Sequence, residues 1–213
     1  MFSVKFDKNQ LTLELNKLKK NVGDKALVST VNKLAAQGKT ASGKKIRQEY
    51  AVTSADTRKS IKVVKAKPSN GIKAIVAKII ATGKASTNII RFAEKKVTLA
   101  QARRRKKEGT QSDLRVRVRK AGGFKTIKGG FIATINRKAL AFKRIPGTTA
   151  PGRKRYAGTK YANKIEPVRT IFIPAMFNSR KVNNAIKFVI RTKFEKIYEN
   201  DVRFFMSKFN AAR

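Results

Sequence analysis

Ile61-Lys62-Val63-Val64-Lys65-Ala66-Lys67-Pro68-Ser69-Asn70-Gly71 is the stretch where the periodicity of this chain changes. The β-branched residues of Ile61–Lys67 favour extended backbone, because a side chain branched at Cβ loses rotamer freedom in a helix and packs well on a pleated surface. Pro68-Ser69-Asn70-Gly71 is a strong turn signal. A second β-rich run, Ile72 to Ile80, follows it, so the segment predicts a β-hairpin.

Upstream the pattern is helical. Leu11, Leu15, Leu18 and Val22 recur at i, i+4, i+7 and i+11, which makes one apolar stripe. Gly23-Asp24 predicts a break, with Asp24 placed to cap a second helix that carries Leu27, Val31, Leu34 and Ala35 toward Ile46 and Tyr50. Gly38 and Gly43 weigh against an unbroken rod. Thr53-Ser54 predicts the cap of a short third helix holding Asp56 and Arg58.

Downstream, Asn88 to Phe92 reads as a short strand. Leu114 to Arg119 alternates, with Leu114, Val116 and Val118 on one face and Arg115, Arg117 and Arg119 on the other, as a half-buried strand does. Gly122-Gly123 and Gly129-Gly130 bracket a turn region. Phe131 to Ile135 and Leu140 to Ile145 predict strands paired across Asn136-Arg137-Lys138. Val168 to Ile173 predicts a last strand, framed by Pro167 and Pro174. Helical spacing then returns: Val182, Ile186, Ile190, Phe194, Ile197 and Phe204/Phe205 form one stripe, and Asn178 or Ser179 can cap its start.

Helices, then strands, then a helix give an α+β fold with N-terminal helices, a central and mostly antiparallel sheet, and a long C-terminal helix. The expected organisation is an N-terminal helical segment over 1–60, a β-rich domain over 61–175 with basic loops at 93–113 and 146–164, and a C-terminal helix over 176–213 packing on the same domain. Val182, Ile186, Ile190, Phe194 and Ile197 are the expected core of that helix.

The charge bounds the function. Among 213 residues, 52 are Lys or Arg and 12 are Asp or Glu, a formal net charge of +40. Such a surplus opposes compaction and attracts polyanions: nucleic acid, anionic membranes or acidic protein surfaces. Leu, Ile, Val and Phe still make up more than the ~20% below which a charged chain stays disordered, so a core is expected. There is no Cys and no His, which removes disulfides, thiolate metal sites, the commonest general base and the best nucleophile. The carboxylates Asp56, Glu94 and Glu108 lie far apart with no acid/base or metal-ligand spacing. No catalytic residue, metal site or cofactor is expected. No segment reaches the ~18 apolar residues of a membrane span. The N-terminus has no apolar stretch long enough for a signal peptide, so the expected setting is a cytoplasm or something assembled there.

The cations are unevenly placed. No acid occurs between Asp113 and Glu166, a stretch with fifteen Lys or Arg. Arg103, Arg104, Arg105, Lys106 and Lys107 form the sharpest cluster, readable as a phosphate-binding finger or as a solvated loop; nuclear localisation is a third reading of such runs. Arg115, Arg117 and Arg119 would project ~6.7 Å apart, twice the strand rise; they either track a sugar–phosphate backbone or form a solvated face that blunts a sheet edge. Arg153, Lys154 and Arg155 lie in the long basic loop. Phe124, Phe131 and Phe142 lie near basic residues, as in single-strand binders, but make no case for a base-stacking platform, since Phe131 and Phe142 sit in runs that need core residues. Contact through these cations would be to phosphates or carboxylates, without sequence preference.

Several segments in one order resemble the prophage minor tail protein Z family of lambda-type tailed phages. They are the lysine-rich helix Leu11–Lys20 followed by Val22; Ala66-Lys67-Pro68-Ser69-Asn70; Ile89-Ile90-Arg91-Phe92; Arg115-Val116-Arg117-Val118; Gly130-Phe131-Ile132-Ala133-Thr134; Ala141-Phe142-Lys143-Arg144; and Ile165-Glu166-Pro167-Val168 through Ile173-Pro174-Ala175-Met176-Phe177. The basic insert at 94–113 departs from the family pattern. The resemblance implies a structural virion protein, a tail-completion component at the head–tail junction or neck. It implies a homo-oligomeric ring of sixfold symmetry on the tail axis, in contact with acidic surfaces of neighbouring tail and neck proteins and with DNA, and no membrane partner. It supplies no catalytic residues. The alternative from another class is a sequence-nonspecific nucleic-acid-binding protein of ribosomal or chromatin-like type. A membrane-surface protein is a third reading, which the Lys-opposite-Leu N-terminal helix suggests and its lack of Trp or Phe beyond residue 6 disfavours.

Overall fold

The computed structural model describes residues 2–3, 20–67, 75–84, 86–94, 114–135, 138–145, 147–148 and 164–211. The stripe from Leu11 to Leu18, the turn at 68–71, most of the insert at 93–113 and most of the loop at 146–164 lie outside the described residues. The chain forms two compact units, one of residues 1–47, 53–83 and 173–213, the other of residues 48–52 and 84–172.

In the first unit, helix α1 (Lys20–Glu49) runs without interruption, so the break predicted at Gly23-Asp24 is not there. Its buried positions explain why. Val22, Gly23, Ala26, Leu27, Thr30, Val31, Leu34, Ala35, Gly38, Ser42, Gly43 and Ile46 fall at successive three- and four-residue steps on one face. Gly23 and Gly38 belong to that face rather than ending the helix. A Cβ on Gly38 would lie 2.8 Å from Cδ1 of Ile79 and 3.4 Å from Cγ2 of Ile186. The glycine is therefore a close-approach site, and packing outweighs its poor helix propensity.

Helix α2 (Ser54–Ser60) starts where the sequence predicts. The Thr53 hydroxyl accepts from the Asp56 N–H at 3.2 Å, and the Asp56 carboxylate accepts from the Thr53 N–H at 3.4 Å, a reciprocal cap for two otherwise orphan donors. The helix then passes directly into strand β2 (Ile61–Val64), which pairs antiparallel with β3 (Lys78–Ala81) from Ile61↔Ala81 to Val64↔Lys78. The two runs read from the change in period thus pair as expected but over shorter strands: residues 65–67 and 75–77 are not strand, and the turn at 68–71 lies outside the described residues. A short strand β1 (Phe2–Ser3), with no sequence pattern of its own, adds to the other edge of β3. The Asn32 side chain on α1 donates to the Ala66 carbonyl at 3.0 Å and accepts from its N–H at 2.7 Å, so an amide side chain replaces a strand partner just past β2.

Helix α3 (Ile173–Phe177) takes Ile173 out of the strand predicted for it and buries it with Met176 and Phe177. Helix α4 (Arg180–Ala211) follows, 32 residues or ~48 Å long at ~1.5 Å per residue. Its Val182, Ile186 and Ile190 are buried, and its Phe194 and Ile197 are half-buried. Phe204, placed on the same stripe by spacing, is 50% exposed, edge-to-face on Phe205 and beneath the Lys208 ammonium.

The second unit is built of short strands. β4 (Ser86–Asn88) pairs with β10 (Arg169–Ile171), β5 (Leu114–Val116) with β6 (Lys125–Ile127), and β7 (Gly130–Ile135) with β8 (Lys138–Arg144), which also pairs with β9 (Ile165–Pro167). Every one of these pairings is antiparallel. The α+β class holds, with the strands spread over small sheets. The β7–β8 hairpin has the predicted placement, from Gly130↔Lys143 to Ile135↔Lys138, and sets Phe131 directly across from Phe142, ring centroids 6.0 Å apart.

The strand predicted at Asn88–Phe92 is instead a 3₁₀ turn over Ile89–Phe92. Asn88 diverts it. Its side-chain oxygen accepts from the N–H of Ile90 at 3.1 Å and of Ala141 at 2.8 Å, and its amide donates to the Ala141 carbonyl at 3.0 Å. This caps the turn and ties it to β8, burying Ile89 and Phe92. Gly129 and Gly130 do different work. Gly129 has φ +69, a left-handed turn conformation, while a Cβ on Gly130 would sit 2.9 Å from Cβ of Leu114 and from the Ile127 carbonyl.

Candidate polyanion interface

Among the described residues of the acid-free stretch, the β5–β6 hairpin combines cations with an exposed aromatic ring, Phe124. Leu114 and Val116 are buried and Arg115 between them is exposed, the alternation of a one-sided strand. β5 is held on both edges. β6 pairs with one, and the backbone at 92–94 with the other: Ala93 bridges Val116, Arg117 N–H donates to the Phe92 carbonyl at 2.8 Å, and Glu94 N–H donates to the Arg115 carbonyl at 3.0 Å.

β5 ends at Val116, so Arg117 and Arg119 lie beyond the strand. Arg115 and Arg117 nevertheless come together, because both guanidinium groups approach one ring. Their Cζ atoms lie 5.2 and 5.6 Å from the centroid of Phe124, which is 39% exposed. Each distance is within cation–π reach. Arg117 is also anchored: its Nε donates to the Lys120 carbonyl at 3.2 Å, and its Nη2 donates to the same oxygen. Arg115 has an acidic partner, Glu94, at 3.2 Å. Both side chains are well exposed or partly so, which limits that pair to a fraction of ~1 kcal/mol. Arg119 goes elsewhere, with its Cζ 6.0 Å from the ring of buried Tyr50.

Between residues 115 and 128 the sequence holds Arg115, Arg117, Arg119, Lys120, Lys125 and Lys128 and no acid. All but the half-buried Arg117 are exposed. The segment therefore presents an excess of donors, with Glu94 as the acid paired to Arg115 and with Arg115 and Arg117 at the Phe124 ring. It can neutralise phosphates or carboxylates, and the Phe124 ring offers a face for packing. The Phe131 and Phe142 side chains do not share this exposure; Phe142 is buried and Phe131 half-buried. In the sequence Phe124 shares its nearness to basic residues with Phe131 and Phe142, and differs from them in lying outside the expected strands. Arg103–Lys107 and Arg153–Arg155 lie outside the described residues. Among the described residues no three metal-ligating side chains come together, and no helix is long and apolar enough to cross a membrane.

A family model described as prophage minor tail protein Z matches residues 8–208. The chain belongs to the prophage minor tail protein Z family. It is a structural protein of a phage tail, and the ribosomal or chromatin-like alternative gives way to that role. The minor tail protein has no significant match among curated proteins or solved structures.

Proposed function

We propose that this minor tail protein completes the tail at the head–tail junction, as a closed homo-oligomeric ring on the tail axis, and that the β5–β6 surface faces the path of the DNA. The observation that carries the reading is the basic segment 115–128, six cations and no acid in sequence, two of which, Arg115 and Arg117, meet at the Phe124 ring. Copies at +40 each repel one another, so a ring of them needs a polyanion beside it or many bound counterions. DNA threading the axis is such a polyanion, and acidic inner surfaces of adjoining rings are the second neighbour that suits the charge. The protein contributes positioning and charge to head–tail joining and DNA passage and performs no chemistry of its own.

Electron cryomicroscopy of assembled tails tests the reading. The expected map shows this chain as a closed ring at the head-proximal end, with residues 115–128 lining the channel. One copy per particle, or a ring at the distal tip, overturns it.

A further inference from the structure

The first unit contains a cavity of about 240 Å³ between α1 and α2, lined by Lys39, Thr40, Gly43, Arg47, Ser54, Thr57, Arg58 and Ile61. Two helical stripes face it. Lys39, Gly43 and Arg47 are spaced four apart on α1, and Ser54 and Arg58 are spaced four apart on α2, so each set lies on one side of its helix. Gly43 leaves room between the two α1 cations. Its missing Cβ would stand 3.4 Å from Nη1 of Arg47 and 3.8 Å from Thr57.

The lining has three cations, three hydroxyl side chains and no carboxylate. Arg47 is held in place. Its Nη1 donates to the hydroxyl of buried Thr57 at 3.0 Å, and that hydroxyl donates onward to the Ser54 carbonyl at 2.9 Å. A guanidinium has five N–H donors, so one is committed and the fork stays oriented with the rest to offer. Asp56, the nearest acid in sequence, binds the N–H and hydroxyl of Thr53 instead of lining the cavity.

Three like charges around one small space repel one another unless an anion sits among them. A single Arg pairs a planar carboxylate through two parallel bonds. Three cations on two helices, with hydroxyls between them, suit a tetrahedral oxyanion of higher charge. The volume lies below the ~300–1,000 Å³ of pockets for drug-sized ligands, which fits a single anionic group. We propose that this cavity binds a phosphate group, either as the free ion or as a phosphodiester of nucleic acid. The site uses none of the residues of the β5–β6 surface and stands whether or not that surface meets DNA.

The test is thermal unfolding and amide chemical-shift titration of the full chain with inorganic phosphate, at ionic strength matched with sodium chloride. Two variants remove equal charge: Lys39→Gln with Arg58→Gln, which leaves the Arg47–Thr57 bond intact, and Lys59→Gln with Lys62→Gln on the exposed surface nearby. Phosphate should raise the wild-type melting temperature above the chloride control and shift amides between 39 and 61. The cavity variant should bind phosphate about tenfold or more weakly, as loss of charge-assisted hydrogen bonds implies, and the surface variant should match wild type. A short DNA duplex that displaces phosphate from the site identifies the phosphodiester as the source; retention of phosphate identifies the free ion. Equal phosphate responses in wild type and cavity variant overturn the proposal. So does acetate binding as well as phosphate, which would mark the site as a carboxylate receptor for an acidic neighbouring protein.

Discussion

The buried carboxylate of Asp201 on α4 accepts a 2.9 Å hydrogen bond from the hydroxyl of Thr30 on α1, 171 residues earlier in the chain. Its other oxygen binds the Lys33 ammonium. Lys33 is more than half exposed while Asp201 is 3% exposed, so the two partners contribute differently. Removing the Thr30 hydroxyl leaves a buried charge with one partner fewer, and the penalty for an unsatisfied buried group is ~1–3 kcal/mol. An exposed ammonium contributes less than ~1 kcal/mol. Urea unfolding should therefore show Thr30→Val and Asp201→Ala each destabilising by about 1–3 kcal/mol and Lys33→Ala by less. The effects of Thr30→Val and Asp201→Ala should fall short of additive in the double variant, since both remove one bond. Full additivity would show that the bond holds nothing.

Two glycines on α1 should respond oppositely to alanine. The helix-propensity gain is ~1 kcal/mol at either position. At Gly38 the new methyl meets the buried Ile79 side chain at 2.8 Å and must displace it, and overpacking of that kind costs ~1–3 kcal/mol. At Gly43 the nearest atom is the end of Arg47 at 3.4 Å, an ordinary contact. Gly38→Ala should lower the melting temperature and Gly43→Ala should leave it unchanged or raise it. The reverse order would mean that α4 and β3 do not close on α1 as described.

The Asn88 clamp gives a third outcome, confined to the second unit. Asn88→Ala removes three hydrogen bonds, to Ile90 N–H and to both backbone groups of Ala141. The Ala141 carbonyl keeps a second donor, the Val168 N–H at 2.9 Å, so the full sum is not lost. The variant should be destabilised by ~2–3 kcal/mol at net values near 1 kcal/mol per bond. Hydrogen exchange should rise first at Ile90 and Ala141 amides, and uniform exchange across the chain would contradict a local clamp.

The local features were legible where one rule acts alone. Thr53 and Asp56 cap α2 at the spacing that a reciprocal cap requires, and the β-branched runs from Ile61 and from Phe131 form antiparallel hairpins. The spacing of Val182, Ile186 and Ile190 matches their burial. Legibility failed where a distant partner decides. Gly23 read as a break and Gly38 as a weak point, because helix propensity is local; nothing local shows that Ile79 and Ile186 press against α1 at Gly38. Ile89–Phe92 carries strand-forming residues, yet the Asn88 side chain claims the backbone for a turn. β6 went unseen because its Lys125 and Thr126 are exposed and three residues are too few for a pattern. For the candidate interface, alternation pointed to Arg115, but the meeting of Arg115 and Arg117 on Phe124 depends on a turn whose glycines announce only that the chain bends.

Arg115 and Arg117 share the Phe124 ring, and no acid follows them until Glu166. If each guanidinium neutralises one phosphate, Arg115→Gln with Arg117→Gln should reduce the slope of log affinity against log salt by ~0.9 per contact, about 1.8 together. Phe124→Ala should weaken binding at every salt concentration and leave the slope unchanged, because stacking releases no counterions. Replacing Arg103, Arg104, Arg105, Lys106 and Lys107 with Ser tests the other basic run, with a ceiling of about five such contacts, or ~4.5 in slope. The measurement is retention of DNA duplexes of two unrelated sequences across a salt series, with tail assembly scored in parallel. Equal affinity for both sequences is expected, since contacts to phosphate and stacking on a ring face carry no base-edge readout. An unchanged slope with normal assembly in both charge variants would reduce these arginines and lysines to a solvated surface. A changed assembly with an unchanged slope would instead assign the surface to an acidic neighbouring ring.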